Sequence, residues 1–410
     1  MLDLLDLNIL ITEVSELETS TVISGVSLAV ALSCLSIALV RQFKLKTNIR
    51  APPQNEKSKV DPNKVTPIGD NFKWDQEKPL VYRPYRDGDY KMSMALNKIN
   101  KNDWILIDDK YKKYSELRAQ VFDQYTKELV YCNKNYRDDL IEFYDEVLQF
   151  LVNRYPNYFI KSKDGTTISN TILNHKLPID ANELPTMEIM KILSININED
   201  FVILCWDEKL EEYVLRCNST CFAAGFIPTE NVNKPLTKIH KPVPGYKENL
   251  KFPMSKFFNR ITSKDFYYRV NWFVMPFLNL CYLGDDEKYP ENLKTFYEDS
   301  GENPINLGTG EIDHSKIDYN KIFIRSERQA LTKLPKSKSI VMVVRTYCYP
   351  LTQIRKEEEI NDKLIGAING IKGDLAKYKG KEGWQNLVLP YLKGEVNGLT
   401  DEIIEYDFDR

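Results

Sequence analysis

The sequence predicts an α+β fold: one five-stranded antiparallel sheet flanked by helices, behind a single N-terminal transmembrane helix. Three observations lead there. Strand-like runs fall in two blocks separated by a connection of loop and short helix, instead of alternating with helices one by one. Two amphipathic helical patterns precede the first block. Residues 21–40, "TVISGVSLAVALSCLSIALV", run without a charge for the length a helix needs to cross a bilayer.

Residues 1–20 form a short acidic tail (Asp3, Asp6, Glu13, Glu16, Glu18), the opposite of the basic start of a signal peptide. The basic stretch "RQFKLK" follows the apolar run at once. An acidic side before the span and a basic side after it orient a single-pass anchor with its C-terminal side in the cytoplasm. Residues 41–77 are polar and contain several prolines, which suits a tether. The globular part is expected over residues 78–360, with a helical extension over 361–410.

Within it, "YKKYSELRAQVFDQYTKELVYC" (111–132) reads as an amphipathic helix. "YRDDLIEFYDEVLQFLVNRY" (136–155) is a stronger one, with Ile141, Tyr144, Leu148, Leu151 and Tyr155 in steps of three and four. "DFVILCW" (200–206) and "EYVLRC" (212–217) predict two strands joined by a charged turn, and "CFAAGFI" (221–227) a third run after them. Residues 229–263 read as loop and short helix. "FYYRVNWFV" (266–274), "KIFIRSERQALTKL" (321–334) and "SIVMVVRTYCY" (339–349) complete the strands. Residues 354–379 predict one helix, and Trp384 to Leu392 a shorter amphipathic one.

Side chains alternate along a strand, so residues two apart share a face. Arg269 and Asn271 therefore point one way. Arg325, Glu327 and Gln329 share a face with Phe323 and Leu331, and Arg345 shares one with Val341, Val343 and Tyr347. Charges interleaved with large apolar residues fit either a lined cavity or a solvated surface with cross-strand ion pairs. In a cavity they need partners, because an unpaired buried charge costs several kcal/mol.

A net charge of −3 and a pI near 5.9 exclude the basic field of a general nucleic-acid binder. The seven cysteines contain no CxxC pair, which excludes a zinc ribbon and a ferredoxin-type cluster. There are only three histidines, His175, His240 and His314. His240 lies in "IHKPVPGY", where Pro242, Pro244 and Gly245 would make a stiff, sharp turn beside a ring suited to metal ligation. A surface or hydrogen-bonded histidine before a loop is the plainer reading of the same residues.

Five stretches occur in order: "YKMSMALNKINKNDWILIDDKY" (90–111), "IHKPVPGYKENLKFPMSKFFNRI" (239–261), "YRVNW" (268–272), "IRSERQALTKLPKS" (324–337) and "VVRTYCYPL" (343–351). Together, over about residues 78–360, they resemble the haem-dependent oxidative N-demethylase family. The resemblance implies a haem-binding PAS fold used as an enzyme, and two strands, a helical excursion and three more strands are compatible with such a sheet. It implies a haem b iron, oxygen-dependent removal of a methyl group from a small amine, and formaldehyde as the carbon product. It also implies electrons from NADPH, passed in the characterised family system through flavin and iron–sulfur centres on separate subunits. This chain has no sequence signature for either centre, so the reductase is expected to be another protein.

Carried onto this sequence, the resemblance makes His240 the expected axial ligand. Tyr246, Arg269, Asn271, Arg325, Gln329 and Arg345 become candidates for binding haem, whose propionates suit arginine. Glu327 and Arg328 are the catalytic candidates; Glu327 could instead hold an ammonium group or orient an arginine. His175 is the second choice as ligand, His314 falls in an acidic loop, and a thiolate at Cys205, Cys217 or Cys221 is a minor alternative. The membrane span departs from the bacterial family pattern. Ala330 and Lys333 fall at variable places in their motif, so the haem site transfers more safely than the substrate. A haem-binding regulatory module, or a scaffold that has lost haem, are the competing functions.

Overall fold

The computed structural model describes residues 64–275, 280–284, 305–306 and 311–404. The chain divides into a unit of residues 1–50 and one of residues 51–410, and only the second is described. The proposed span at 21–40 lies outside the described residues. Among the described residues no helix is long and apolar enough to cross a membrane.

Two long helices come first, α1 (Tyr111–Leu129) and α2 (Arg137–Arg154). Asp138 and Asp139 in the first turn of α2 and Arg154 in its last turn complement the helix dipole. Leu140, Phe143, Tyr144, Val147 and Leu151 are buried along its length, each side chain of this size contributing roughly 1.5–3 kcal/mol. The twelve strands among the described residues begin with β1 (Asn97–Lys98) and β2 (Val130–Cys132). A small antiparallel meander follows α2: β3 (Phe159–Lys161), β4 (Thr167–Asn170) and β5 (His175–Pro178). Helix α3 (Thr186–Asn196) then leads into the hairpin of β6 (Asp200–Asp207) and β7 (Glu212–Ser219).

Three short helices form the excursion: α4 (Leu236–Ile239), α5 (Tyr246–Asn249) and α6 (Lys251–Arg260). Strand β8 (Tyr267–Met275) returns to the sheet. The two-residue strands β9 (Ile305–Asn306) and β10 (Glu311–Ile312) pair with each other. The hairpin of β11 (Phe323–Lys333) and β12 (Ile340–Pro350) follows. Four helices close the described chain: α7 (Leu351–Arg355), α8 (Glu358–Asn369), α9 (Gly373–Tyr378) and α10 (Lys381–Leu392).

Among the described residues the main sheet has seven strands, not five, in the order β1-β8-β11-β12-β6-β7-β2. The five expected strands are its long central members, and the surplus is two edge strands of two and three residues. "CFAAGFI" is not a strand. The Cys221 and Phe222 N–H groups donate to the Asp200 carboxylate instead of a neighbouring strand, and Gly225 turns the chain at a φ of +84°. The helix expected over 354–379 is three helices. Its break at Gly370 is a close approach: a Cβ there would sit 1.9 Å from the Gly88 carbonyl oxygen, and Gly370 O accepts the Tyr90 N–H at 3.1 Å.

Cross-strand partners share a face, so the register sorts the sheet. One face carries Phe201, Ile203, Ala330, Val341 and Val343, which join a single core with α1, α2 and α3. On the same face Trp272, Val274, Ile324, Tyr347 and Tyr349 pack with residues of α7, α8 and α10. The opposite face carries Leu204, Leu331, Ile340 and Met342 against Leu236, Ile239, Phe257, Phe258 and Ile261 of the excursion. Beyond that cluster this second face stays partly open. Every half-buried residue of β11 and β12 lies on it: Glu327, Gln329, Lys333, Met342, Val344 and Cys348.

Candidate functional site

The excursion is fastened to β7 before it reaches His240. Asn233 donates its N–H to Leu215 O at 2.7 Å, and Leu215 donates to Lys234 O at 3.1 Å. Glu212 Oε1 accepts the Thr237 N–H at 2.8 Å, capping the first turn of α4. His240 ends that helix, and its Nδ1 lies 2.9 Å from Leu236 O. A carbonyl only accepts, so Nδ1 carries the proton and Nε2 keeps its lone pair. Burial, the largest effect, and the charge of Arg269 push the His240 pKa down, which holds the ring neutral.

The turn after His240 works as its residues suggest. Val243 N–H donates to His240 O at 2.9 Å, and Tyr246 N–H returns to Val243 O at 3.2 Å. Gly245 has a φ of +72°, and a Cβ on it would lie 2.9 Å from Asn249 Nδ2. The chain reversal lays the Tyr246 ring on His240, with centroids 4.5 Å apart and planes 7° from parallel. Among the described residues Nε2 has no hydrogen-bond partner. A metal ligand whose second nitrogen donates to a backbone carbonyl is held in this way.

The other histidines are engaged elsewhere. His175 lies in β5, with Nδ1 3.2 Å from Asn196 Oδ1. His314 Nδ1 lies 2.6 Å from the Tyr319 hydroxyl. The thiolate alternative fares poorly. Burial pushes Cys205 up to about 12 and Cys221 up to about 11, so both stay protonated. Cys217 faces Cys132 across β2 and β7 with Sγ atoms 2.9 Å apart. Among the described residues no three His, Cys, Asp or Glu side chains gather to hold a metal. A lone histidine then serves as a metal ligand only where a prosthetic group supplies the other donors, as haem does.

The register places the sequence candidates in two groups. Arg269 lies opposite Gln329, Asn271 opposite Glu327, and Phe273 opposite Arg325, so these side chains share the partly open face. Arg325 is fully buried there. Its guanidinium donates to Leu280 O at 2.8 Å, to Phe222 O and to Thr346 Oγ1 at 3.2 Å, and its Nε lies 3.3 Å from Glu327 Oε1.

Arg328 and Arg345 form a cross-strand pair on the opposite face, and the expectation that they line one site with Arg325 and Glu327 is corrected. Arg345 donates to Asp108 Oδ2 at 2.6 Å and to Leu106 O at 2.6 Å, and lies 3.4 Å from Glu199 Oε1. Arg328 donates to Trp104 O at 3.3 Å and to Asp103 O. Nearby, Arg118 binds Asp200 Oδ1 at 2.8 Å, Ser194 O at 2.5 Å and Glu199 O at 2.9 Å. Arg118 and Arg345 thus pair with three buried carboxylates, which is the pairing that makes buried charge tolerable, while Arg328 is met by backbone carbonyls.

Sequence reasoning missed the neighbours of Glu327 beyond the sheet edge. Lys379 Nζ donates to the backbone carbonyl of Trp272 at 3.1 Å and lies 5.7 Å from the centroid of the Trp272 ring. Its charge acts on Glu327 and Arg269, and Tyr90 and Tyr378 also sense Glu327 or Arg269. No feature around Lys379 in "LAKYKGKEG" distinguishes it from other helix-end lysines.

The haem-dependent oxidative N-demethylase, alpha subunit-like family matches residues 95–389. The chain belongs to this family. No curated protein matches it. The demethylase-family match contains His240, the whole open face and Lys379, and it runs past residue 360 into the C-terminal helices. Membership points to a haem-dependent, oxygenase-type function. The residues suit such a group: a neutral histidine with a free Nε2, and a partly open face bearing arginine, asparagine, glutamine and glutamate.

Proposed function

We propose that the chain is a membrane-tethered haem b oxidoreductase that demethylates a small amine with oxygen, drawing electrons from a separate NADPH-dependent flavin and iron–sulfur reductase. The observation that carries this reading is His240, whose Nδ1–H is bonded to Leu236 O while Nε2 stays open. The order of the five long strands, β8-β11-β12-β6-β7, supports a PAS-type sheet, with the ligand delivered by the excursion between β7 and β8. His240 would hold the iron, and Arg269, Asn271, Arg325 and Gln329 would contact the porphyrin or its carboxylates. Haem, when bound, supplies the oxygen chemistry. Glu327, half-buried and held by Arg325, is placed to accept a hydrogen bond from a protonated amine.

The full chain purified with added haem should show a strong Soret band. Supplied with a reductase, oxygen and dimethylammonium, it should release formaldehyde. No Soret band would refute the haem reading; a Soret band without formaldehyde from any N-methylamine would favour the regulatory module.

Residues 21–40 are proposed as the anchor, with the globular part facing the cytoplasm. The Asn218-Ser219-Thr220 sequon cannot report on this. Asn218 is buried in β7, its amide donates to Leu129 O at 2.6 Å, and its Oδ1 accepts from Thr220 at 2.8 Å. Absence of glycan would therefore mean nothing, whereas protease added to sealed microsomes should digest the globular part. Full protection would reverse the orientation.

A further inference from the structure

We propose that Arg269 and Lys379 form a clamp for a carboxylate on the open face, at its β8 edge beside Glu327. The proposal rests on the haem reading above only for which ligand brings the carboxylate. Arg269 lies directly across from Gln329 on the face that also holds Asn271 and Glu327. Lys379 reaches the same edge from the turn between α9 and α10, bound to the carbonyl of Trp272, next in sequence to Asn271.

Among the described residues the charges around this edge do not balance. Arg325 has its own partners in Leu280 O, Phe222 O and Thr346. Glu327 stands 3.3 Å from Arg325, so much of its charge is already answered. Among the described residues Arg269 makes no hydrogen bond and no ion pair, and its Nε is buried without a partner. Lys379 spends one N–H on Trp272 O and keeps two. Among the described residues Tyr378 and His240 also sense these charges; burial pushes the Tyr378 phenol up and the His240 imidazole down, so neither brings an anion at neutral pH.

Burial pushes Lys379 down to about 8, with Arg269 lowering it further against the opposing pull of Glu327. Burial likewise pushes Arg269 down despite Glu327 and Tyr90. Two neighbouring cations, each short of counter-charge, are the complement of a carboxylate, which a guanidinium fork and an ammonium can grip together. Two sources carry that group to this edge. One is a haem propionate. The other is the substrate, which would then be an N-methyl amino acid with its ammonium on Glu327 and its carboxylate on the clamp.

The test uses the full chain, its Arg269→Gln and Lys379→Gln variants, and four probes: haem, haem dimethyl ester, N-methylglycine and dimethylammonium. If a propionate is the source, each variant weakens haem about tenfold while the dimethyl ester binds parent and variants alike. If the substrate is the source, the two porphyrins do not discriminate. N-methylglycine then slows acetylation of Lys379 in the parent but not in Arg269→Gln, and dimethylammonium slows it in neither. Either pattern supports the clamp. Parent-like binding of all four probes by both variants overturns it. A parent that takes up no haem yet is protected at Lys379 by N-methylglycine would sink the haem reading and leave the clamp standing.

Discussion

Replacing His240 with alanine should abolish stable haem binding while leaving the fold in place. The backbone of residue 240 would still accept from Val243 N and donate to Leu236 O, so the turn keeps its bonds. The imidazole that Leu236 O orients and Tyr246 backs would be gone. Groups that merely orient a ligating histidine are worth about 10–100-fold in affinity, so loss of the ligand itself should cost at least about 100-fold. Absorption titration of the full chain with haem measures this, and circular dichroism checks the fold. Added imidazole should restore part of the Soret band by entering the vacated space. His175→Ala and His314→Ala should match the parent, because both rings are bonded in other parts of the structure. A His240→Ala chain with parental affinity and spectrum would transfer the assignment to His175.

Arg345→Leu should damage stability rather than haem uptake. Removing one partner of a buried ion pair costs about 3–5 kcal/mol, a large part of the roughly 5–15 kcal/mol that holds a typical domain folded. Here two carboxylates, Asp108 and Glu199, would lose their cation in a fully buried setting. Burial already pushes both carboxyls up, with Arg345 as the largest opposing influence. Without Arg345 their folded-state pKa values rise further above those of the unfolded chain. Stability tied to such groups is complete below the unfolded pKa and is lost as pH rises through the folded one. The deficit should therefore be smaller near pH 5 than near pH 8. Urea midpoints of parent and variant at the two pH values measure it. A variant with parental midpoints and weakened haem binding would place Arg345 back on the open face.

The period-two pattern located every long strand within a few residues, because "FYYRVNWFV" or "SIVMVVRTYCY" must alternate to bury one face or to fill both. The edge strands escaped because two or three residues carry no period. "CFAAGFI" misled because its apolar residues are buried as a turn, with its amides answered by Asp200. Parity within β11 correctly grouped Arg325, Glu327 and Gln329. It could not decide whether Arg345 joined them, since that depends on the register between strands, and Arg328 opposite Arg345 places both on the other face. Lys379 was illegible for a related reason: it reaches the sheet through a tertiary contact that no local pattern announces.

That contact also bears on how the molecule behaves in a crowded solution. Among the described residues strand β8 is paired on its outer side by β1 at Tyr267 and Tyr268. Beyond them, among the described residues, its outer margin runs on toward Met275 with no strand paired to it, the arrangement that invites a strand from another chain. Lys379 occupies the Trp272 carbonyl on that margin and sets a cation beside it, while Trp384, Leu387 and Val388 of α10 belong to the same cluster as Trp272 and Val274. The last helices thus work against self-association as well as completing the core.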